Sequence, residues 1–343
     1  MERLSFSRVF KGCLIGFLLI FVFLTQMFLS GGLYKSFVWL DWFYREQTQE
    51  PSLSVTTLMT PEIIKNNKSL IEQSIAKDAI FIEGGDFAMG PDDCSSYTPM
   101  LYVCARAPVY PVKLNSFSML KFKITNRDFD TFQADTGTFA NPHHDEFDRD
   151  RWEKIHKHGD LPAIINWTMA DNYCQWLGKL TGLPVALPTE AQWEYAARNR
   201  GQRIAFMTNN NKLEPGLNIP SFEMKQKIKD GYRTPVGHFP PSPLGLYDLS
   251  GNGMEWVSDW YSEKKPVGEG PFIDPKGPTE GYLDNEGPAK VLRPSLSSYS
   301  ESFVVGMTVH ARSYGAVSAS IDSASSYSAR CVVNHSQRIA AHE

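Results

Sequence analysis

From Gly12 to Leu33 the chain reads GCLIGFLLIFVFLTQMFLSGGL, without one charged residue. A stretch of this polarity is unsuited to a water-exposed surface, and it has the roughly 20 apolar residues that a helix needs to cross a bilayer. A cleaved signal peptide has a shorter apolar core and a small-residue cleavage site, and no convincing site follows here. The stretch is therefore expected to remain as an uncleaved signal anchor. Arg3, Arg8 and Lys11 precede it, whereas only Lys35 lies close behind, followed by Asp41. The positive-inside rule then keeps residues 1–11 in the cytoplasm and exports the rest past a transmembrane segment over 12–33. Tyr34, Trp39, Trp42, Phe43 and Tyr44 would form an aromatic belt at the outer interface.

Export bears on the cysteines. Beyond Cys13, four remain: Cys94, Cys104, Cys174 and Cys331. An even number behind a signal anchor suits two disulfides in an oxidising compartment. Cys94 and Cys104 would close a short loop. Cys174 and Cys331 would close a long one, worth on the order of 5 kcal/mol in the chain-entropy account.

Residues 34–78 read as a juxtamembrane linker, polar over 45–78 and with at most one weak helix. The dense domain is expected over 79–335, and 336–343 form a loose tail. With 42% hydrophobic residues the domain has ample material for a core, but 25 Gly and 22 Pro argue for an irregular fold rather than a helix bundle. A net charge of −4 with no basic block argues against nucleic acid as a partner.

Local signals place several elements. AIFIEGGDFAMG has two short apolar runs about Gly84-Gly85, a hairpin signature. VYPVKLNSFSMLKFKI supplies two more strands. Thr125 caps a helix over NRDFDTFQAD that Gly137 ends. Thr168 is expected to cap MADNYCQWLGKL, where Ala170, Tyr173, Cys174 and Leu177 recur at helical spacing and turn Cys174 to the core. In LPTEAQWEYAARNRG, Thr189 and Gln192 form a capping box, Trp193, Ala196 and Ala197 make the buried face, and Gly201 is the stop.

These residues also carry a resemblance. GGDFAMG (84–90), PVKLNSFSMLKFKITNRDFDTF (111–132), the stretch from LPAIINW to PTEAQWEYAAR (161–198), TPVGHFPPSPLGLYDLSGNGMEWVSDWY (234–261) and SARCVVN (328–334) resemble the formylglycine-generating enzyme and sulfatase-modifying-factor family. The likeness covers about residues 79–335. It implies an α+β fold with little regular secondary structure, a variant of the C-type lectin fold, here preceded by one transmembrane helix. It also implies that Cys174 pairs with Cys331.

The resemblance implies structural calcium at two places. Asn218, Ile219, Asp230 and Tyr232 match one ligand set; Asp248, Gly251, Gly253 and Glu255 match the other. Several oxygens, a carboxylate or two and glycines that turn carbonyls inward suit a hard cation. Such ions would fix loops and do no chemistry.

The family's catalytic metal is another matter. Its enzymes oxidise a sulfatase cysteine to formylglycine with copper(I) held by two cysteines that follow a G-G-S motif. This chain has Arg293-Pro294-Ser295 in place of that motif, and the two cysteine positions fall at about Tyr299 and Val304. Neither residue offers the soft thiolate that copper(I) prefers. No copper and no catalytic residue are therefore expected. Residues 294–328 are crowded with Ser, Tyr and Ala, a composition suited to a recognition surface. Tyr299, Ser300, Val304, His310 and Arg312 are the candidate groove. A second polar cluster, His143, His144, Asp145, Glu146, Asp148, His156 and His158, has ligand-type side chains but a spacing that matches no metal motif.

The expectation is a single-pass protein of a bacterial inner membrane, its C-terminal domain in the periplasm. It would act as a non-catalytic binding, scaffold or regulatory module of an envelope assembly, type VI secretion being one such setting. Its partners would be an envelope protein and, through the anchor, the bilayer. Two other classes compete: an enzyme with an altered site in the same groove, including non-haem-iron chemistry, and a lectin-like ligand-display domain.

Overall fold

Thr60 opens the described structure by accepting the Ile63 amide proton, which starts α1 (Pro61–Asp78). The computed structural model describes residues 59–91, 109–138, 158–221, 224, 233–263, 266, 268–284, 287–293, 308–317 and 327–339. They belong to one unit, Met59–Glu343. Helix α1 is no part of a linker. Ile71 and Ile75, one turn apart, are buried in the same apolar cluster as Phe129, Phe132 and Tyr173. Thr60-Pro61 was the signal for its start, since threonine caps and proline fits the first helical position.

Three further helices follow. Helix α2 (Asn126–Thr136) is capped by Thr125 and ends at left-handed Gly137, as its sequence indicates. Helix α3 (Trp167–Thr181) begins earlier than expected, because Asn166 rather than Thr168 accepts the Met169 amide proton. Asparagine caps at least as well as threonine, and the earlier start adds two residues. Helix α4 (Glu190–Ala197) has the expected capping box of Thr189 and Gln192. It ends before Gly201, with Asn199 at φ 49° and Arg200 at φ 66° already left-handed.

The strands are short and fall into three sheets. β1 (Ala79–Ile82), β4 (Phe117–Leu120), β12 (Val332–Val333) and β5 (Val185–Ala186) form one, in the order β1-β4-β12-β5. β2 (Gly85–Met89), β3 (Tyr110–Leu114) and β7 (Phe272–Ile273) form the second. The third runs β10-β9-β6-β11, with β8 also on β9. Its members are β6 (Met254–Trp260), β8 (Leu283–Asp284), β9 (Gly287–Arg293), β10 (Ser313–Ala316) and β11 (Tyr327–Ser328).

The hairpin expected about Gly84-Gly85 does not form. β1 pairs antiparallel with β4, whereas β2 pairs with β3. The chain crosses from one sheet to another at Gly84, where a Cβ would stand 2.2 Å from the Leu114 carbonyl oxygen. The glycine is needed for this close approach, not for a turn.

One core fills the space among α1, α2, α3 and the first sheet. The second lies about Ile82, Phe87, Phe117, Trp193, Val257 and Val291, and it supports α4. Cys174 of α3 is bonded to Cys331 beside β12, both fully buried. Cys94 and Cys104 lie outside the described residues. Among the described residues no helix is long and apolar enough to cross a membrane; residues 12–33 are not among them.

Candidate functional site

The site is built on α4. Its spacing puts Glu190 and Glu194 one turn apart on one face, and both are buried. Buried carboxylates need partners, and three arginines supply them, one a turn further along the same segment and two from far along the chain. Arg293, at the end of β9, donates to Glu190 Oε1 at 2.7 Å and to Glu194 Oε2 at 3.0 Å. Arg198 donates from Nε to Glu194 Oε1 at 3.0 Å. Arg312, just ahead of β10, holds both oxygens of Glu190 and donates to the Ser262 carbonyl at 3.1 Å. Burial works to raise the Glu190 pKa, but Arg312 and Arg293 outweigh it and bring it down to about 2.

This network floors a cavity of about 380 Å³. Met89, Tyr110, Phe272 and Pro275 give it apolar walls, and Asp259 and His310 enter beside the floor. The Asp259 carboxylate accepts hydrogen bonds from the Glu190 amide at 2.8 Å and the Ser258 hydroxyl at 3.1 Å. Burial, and then the Glu190 charge, push its pKa up to about 7. His310 is buried, with Nε2 3.2 Å from Thr308 Oγ1. Burial also raises the Tyr110 phenol, with Glu190 and Glu194 adding to it.

Of the candidate groove residues, Arg312 and His310 line this cavity together. Tyr299, Ser300 and Val304 lie outside the described residues. Glu190, Glu194, Asp259 and Arg293 were not singled out as site residues. The glutamates stood in plain view within LPTEAQWEYAAR, but nothing in that segment reveals arginines about a hundred residues away.

The two proposed calcium sets differ. Asn218 Oδ1 accepts the Glu214 amide proton at 2.8 Å, and its Nδ2 donates to the Lys212 carbonyl at 3.0 Å. The Ile219 carbonyl takes the Gly216 amide at 2.8 Å. Asp230 and Tyr232 lie outside the described residues, so only half of the first set is described. The second set is complete but already engaged. Lys123 Nζ donates to the Gly251 carbonyl at 3.0 Å and to the Gly253 carbonyl, and stands 3.6 Å from Glu255 Oε1. Arg330 donates to both Glu255 oxygens at 2.8 Å, and the Trp193 indole donates to Oε2 at 2.9 Å. Asp248 Oδ2 accepts the Gly237 amide at 2.9 Å. With Lys123 in place, these oxygens do not fit a divalent cation. Burial brings the Lys123 pKa down to about 8, with the Glu255 charge opposing, so the group is an ammonium at neutral pH.

Of the His-rich cluster only His158 is described, and it is exposed. Among the described residues no group of three or more His, Cys, Asp or Glu side chains is placed to hold a metal.

Comparison with known proteins shows the family and the fold. The formylglycine-generating enzyme of Mus musculus is 31% identical over 245 residues, 58% of this chain and 62% of that enzyme. The chain thus spans about three fifths of the length of that relative. The inactive C-alpha-formylglycine-generating enzyme 2 of Bos taurus is 28% identical over 225 residues, 52% of this chain and 70% of that protein. Among solved structures, PvdO from Pseudomonas aeruginosa shares the fold, with a TM-score of 0.52 at 19% identity over 74% of this chain and 93% of that one. Residues 67–303 match the sulfatase-modifying factor enzyme 1-like domain. The chain belongs to that family.

Proposed function

We propose that this protein is a non-catalytic member of the family, a binding module whose cavity receives a segment of a protein partner. The observation that carries the reading is the cavity floor. The floor presents Glu190, Glu194 and Arg312, and the buried Arg293 beneath them completes the ion pairs. The sequence positions of the two copper ligands hold Tyr299 and Val304. Paired charges beneath apolar walls give a preorganised surface, and such a surface favours recognition. Anchored by residues 12–33, the domain would act in the periplasm beside an envelope assembly, a type VI secretion apparatus being the setting that the resemblance implies. Calcium at Asn218, Ile219, Asp230 and Tyr232 would serve the loops and not the chemistry.

The test is affinity capture from detergent-solubilised membranes with the full chain, followed by identification of what is held. An envelope component is expected to be retained, and Lys276→Glu at the cavity wall should weaken its retention. Exposed Leu217, which does not line the cavity, supplies the control: Leu217→Ser should leave capture unchanged. Capture insensitive to Lys276→Glu would remove the cavity from the account. In parallel, a sulfatase peptide incubated with the protein, copper(I) and oxygen should keep its cysteine thiol. Formation of an aldehyde would overturn the reading.

One observation favours an altered enzyme instead. Asp259 is poised near neutrality in a cavity that also holds His310, the combination expected of an acid–base pair. Consumption of oxygen or turnover of a captured partner that Asp259→Asn abolishes would move the protein to that class.

A further inference from the structure

The segment after β4 carries a lysine where a charge is costly. Lys123 has no exposed side-chain surface, and a buried ammonium persists only with its donors satisfied. Here they are satisfied by an unusual cradle. The loop from Asp248 to Glu255 passes through left-handed backbone at Asp248 (φ 59°), Asn252 (φ 66°) and Gly253 (φ 101°). Asn252 is held by Thr234 through two hydrogen bonds, its Oδ1 accepting at 3.0 Å and its Nδ2 donating at 2.9 Å. This path brings the carbonyls of Gly251 and Gly253 onto one point, and the carboxylate of Glu255 stands beside it. Lys123 Nζ occupies that point.

Converging carbonyls and a carboxylate are the donor set of a hard divalent cation. An ammonium cannot share those oxygens with such a cation, since both would stand within contact distance of the same atoms and repel. We propose that the Lys123 side chain is a built-in substitute for a structural divalent cation. It locks the 248–255 loop with a charge the chain carries itself, so the loop needs no calcium to fold. The same oxygens then form a latent calcium site, which Lys123 keeps closed. Arg330 is no substitute, because it holds Glu255 from Oε1 and Oε2 and reaches neither glycine carbonyl by the bonds seen here.

The test uses the full chain in detergent, with Asn218→Ala introduced to silence the other proposed calcium set. Terbium(III) is the probe, excited through Trp193, whose indole nitrogen lies 2.9 Å from Glu255. Calcium alone is the competitor. With Lys123 present, no sensitised emission is expected, and the melting temperature should not differ between calcium and a chelator. Lys123→Glu should gain one terbium per chain, displaceable by calcium, and a melting temperature that rises with calcium. Lys123→Met keeps the length without the charge and should show weaker gain in the same direction. Sensitised, calcium-displaceable emission with Lys123 intact would overturn the proposal, as would the absence of any gain in the folded Glu variant. Should the Glu variant fold only when calcium is added, that rescue supports the proposal; failure to fold with calcium present counts against it.

Discussion

Arg312 holds both carboxylate oxygens of Glu190, Nε on Oε1 at 2.6 Å and Nη2 on Oε2 at 2.8 Å. The fork ties the segment before β10 to the first turn of α4. It also fixes Arg312 in the cavity floor rather than leaving it to reach for a ligand. Arg312→Ala leaves Glu190 with Arg293 alone. Breaking a buried pair by removing one partner costs about 3–5 kcal/mol, and the partial exposure of Arg312 argues for the lower end. Arg312→Lys keeps the charge but loses the planar fork, so an intermediate loss is expected. Urea denaturation of the three proteins gives the order; equal midpoints for wild type and the Ala variant would dismiss the pair as a stabilising element.

The same pair sets an acid limit. The folded-state pKa of Glu190 lies near 2, below its ordinary 4.5. A depressed carboxylate contributes stability that is fully present above its unfolded pKa and is lost as pH falls through the folded value. Stability should therefore decline from about pH 4.5 towards pH 2, and Glu190→Gln should flatten that limb while lowering stability at pH 7. Midpoints measured at pH 2.5, 4 and 7 check both parts.

Asp259 predicts the opposite trend at higher pH. Its folded-state pKa is raised from 3.8 to about 7 by burial and the Glu190 charge. The folded state keeps a proton that the unfolded chain releases, so this contribution is present below about pH 4 and lost as pH rises through 7. At pH 8 the buried carboxylate costs up to about 4 kcal/mol by linkage. Asp259→Asn retains an oxygen for the Glu190 amide and removes the charge. The variant should gain on wild type between pH 5 and 8, most at pH 8. Parallel curves for the two proteins would show that the carboxyl is ionised throughout.

The Cys174–Cys331 bridge joins residues 157 apart in sequence. In the chain-entropy account a loop of that length restricts the unfolded state by about 5 kcal/mol. The doubly substituted Cys174→Ala, Cys331→Ala protein should lose several kcal/mol, chiefly through its unfolded state. Reductant should lower the melting temperature of the wild type by several times more than that of the variant.

What could be read in advance, and what could not, follows from the range of the interactions. Thr125, Gly137 and the Thr189–Gln192 box act within a turn, and the structure has all three as expected. The start of α3 went to Asn166, and two good caps standing two residues apart left the local sequence without a means to rank them. The strands at 79–82 and 85–89 were legible, but their partners were not: β4 and β3 compete for them through contacts that no local pattern encodes. The cavity was half legible. Arg312 and His310 came from the resemblance, whereas Glu190, Asp259 and Arg293 join them only through tertiary pairing. Lys123 gave no signal, since its ligands lie 128 and 130 residues further along.

Gly84 offers a direct check on the sheet crossing. A Cβ there would lie 2.2 Å from the Leu114 oxygen and 2.6 Å from the Asn115 carbonyl carbon, both backbone atoms that have no rotamer to yield. Gly84→Ala should cost at least about 3 kcal/mol, at the upper end of overpacking effects. Gly137→Ala, where a Cβ meets nothing within 4 Å, should cost only the strain of its left-handed backbone, about 1–2 kcal/mol. Similar losses at the two positions would mean that the crossing is looser than described.

Helix α1 belongs to the core that it shares with α2 and α3. Ile75 is 5% exposed and Ile71 is 8% exposed, both in the cluster with Phe129, Phe132 and Tyr173. Lys68 and Asn67 of the same helix reach α2 through Asp135 at 2.8 Å and Thr131 at 3.1 Å. A solvated linker helix would tolerate alanine at Ile75, and a core helix would not. Deleting most of a buried isoleucine side chain costs about 2–5 kcal/mol, the spread reflecting how far neighbours collapse. Ile75→Ala in the full chain should fall in that range, whereas exposed Leu70→Ala should stay within about 0.5 kcal/mol. Chemical denaturation of the two variants separates the cases, and equal, small effects would return α1 to the linker.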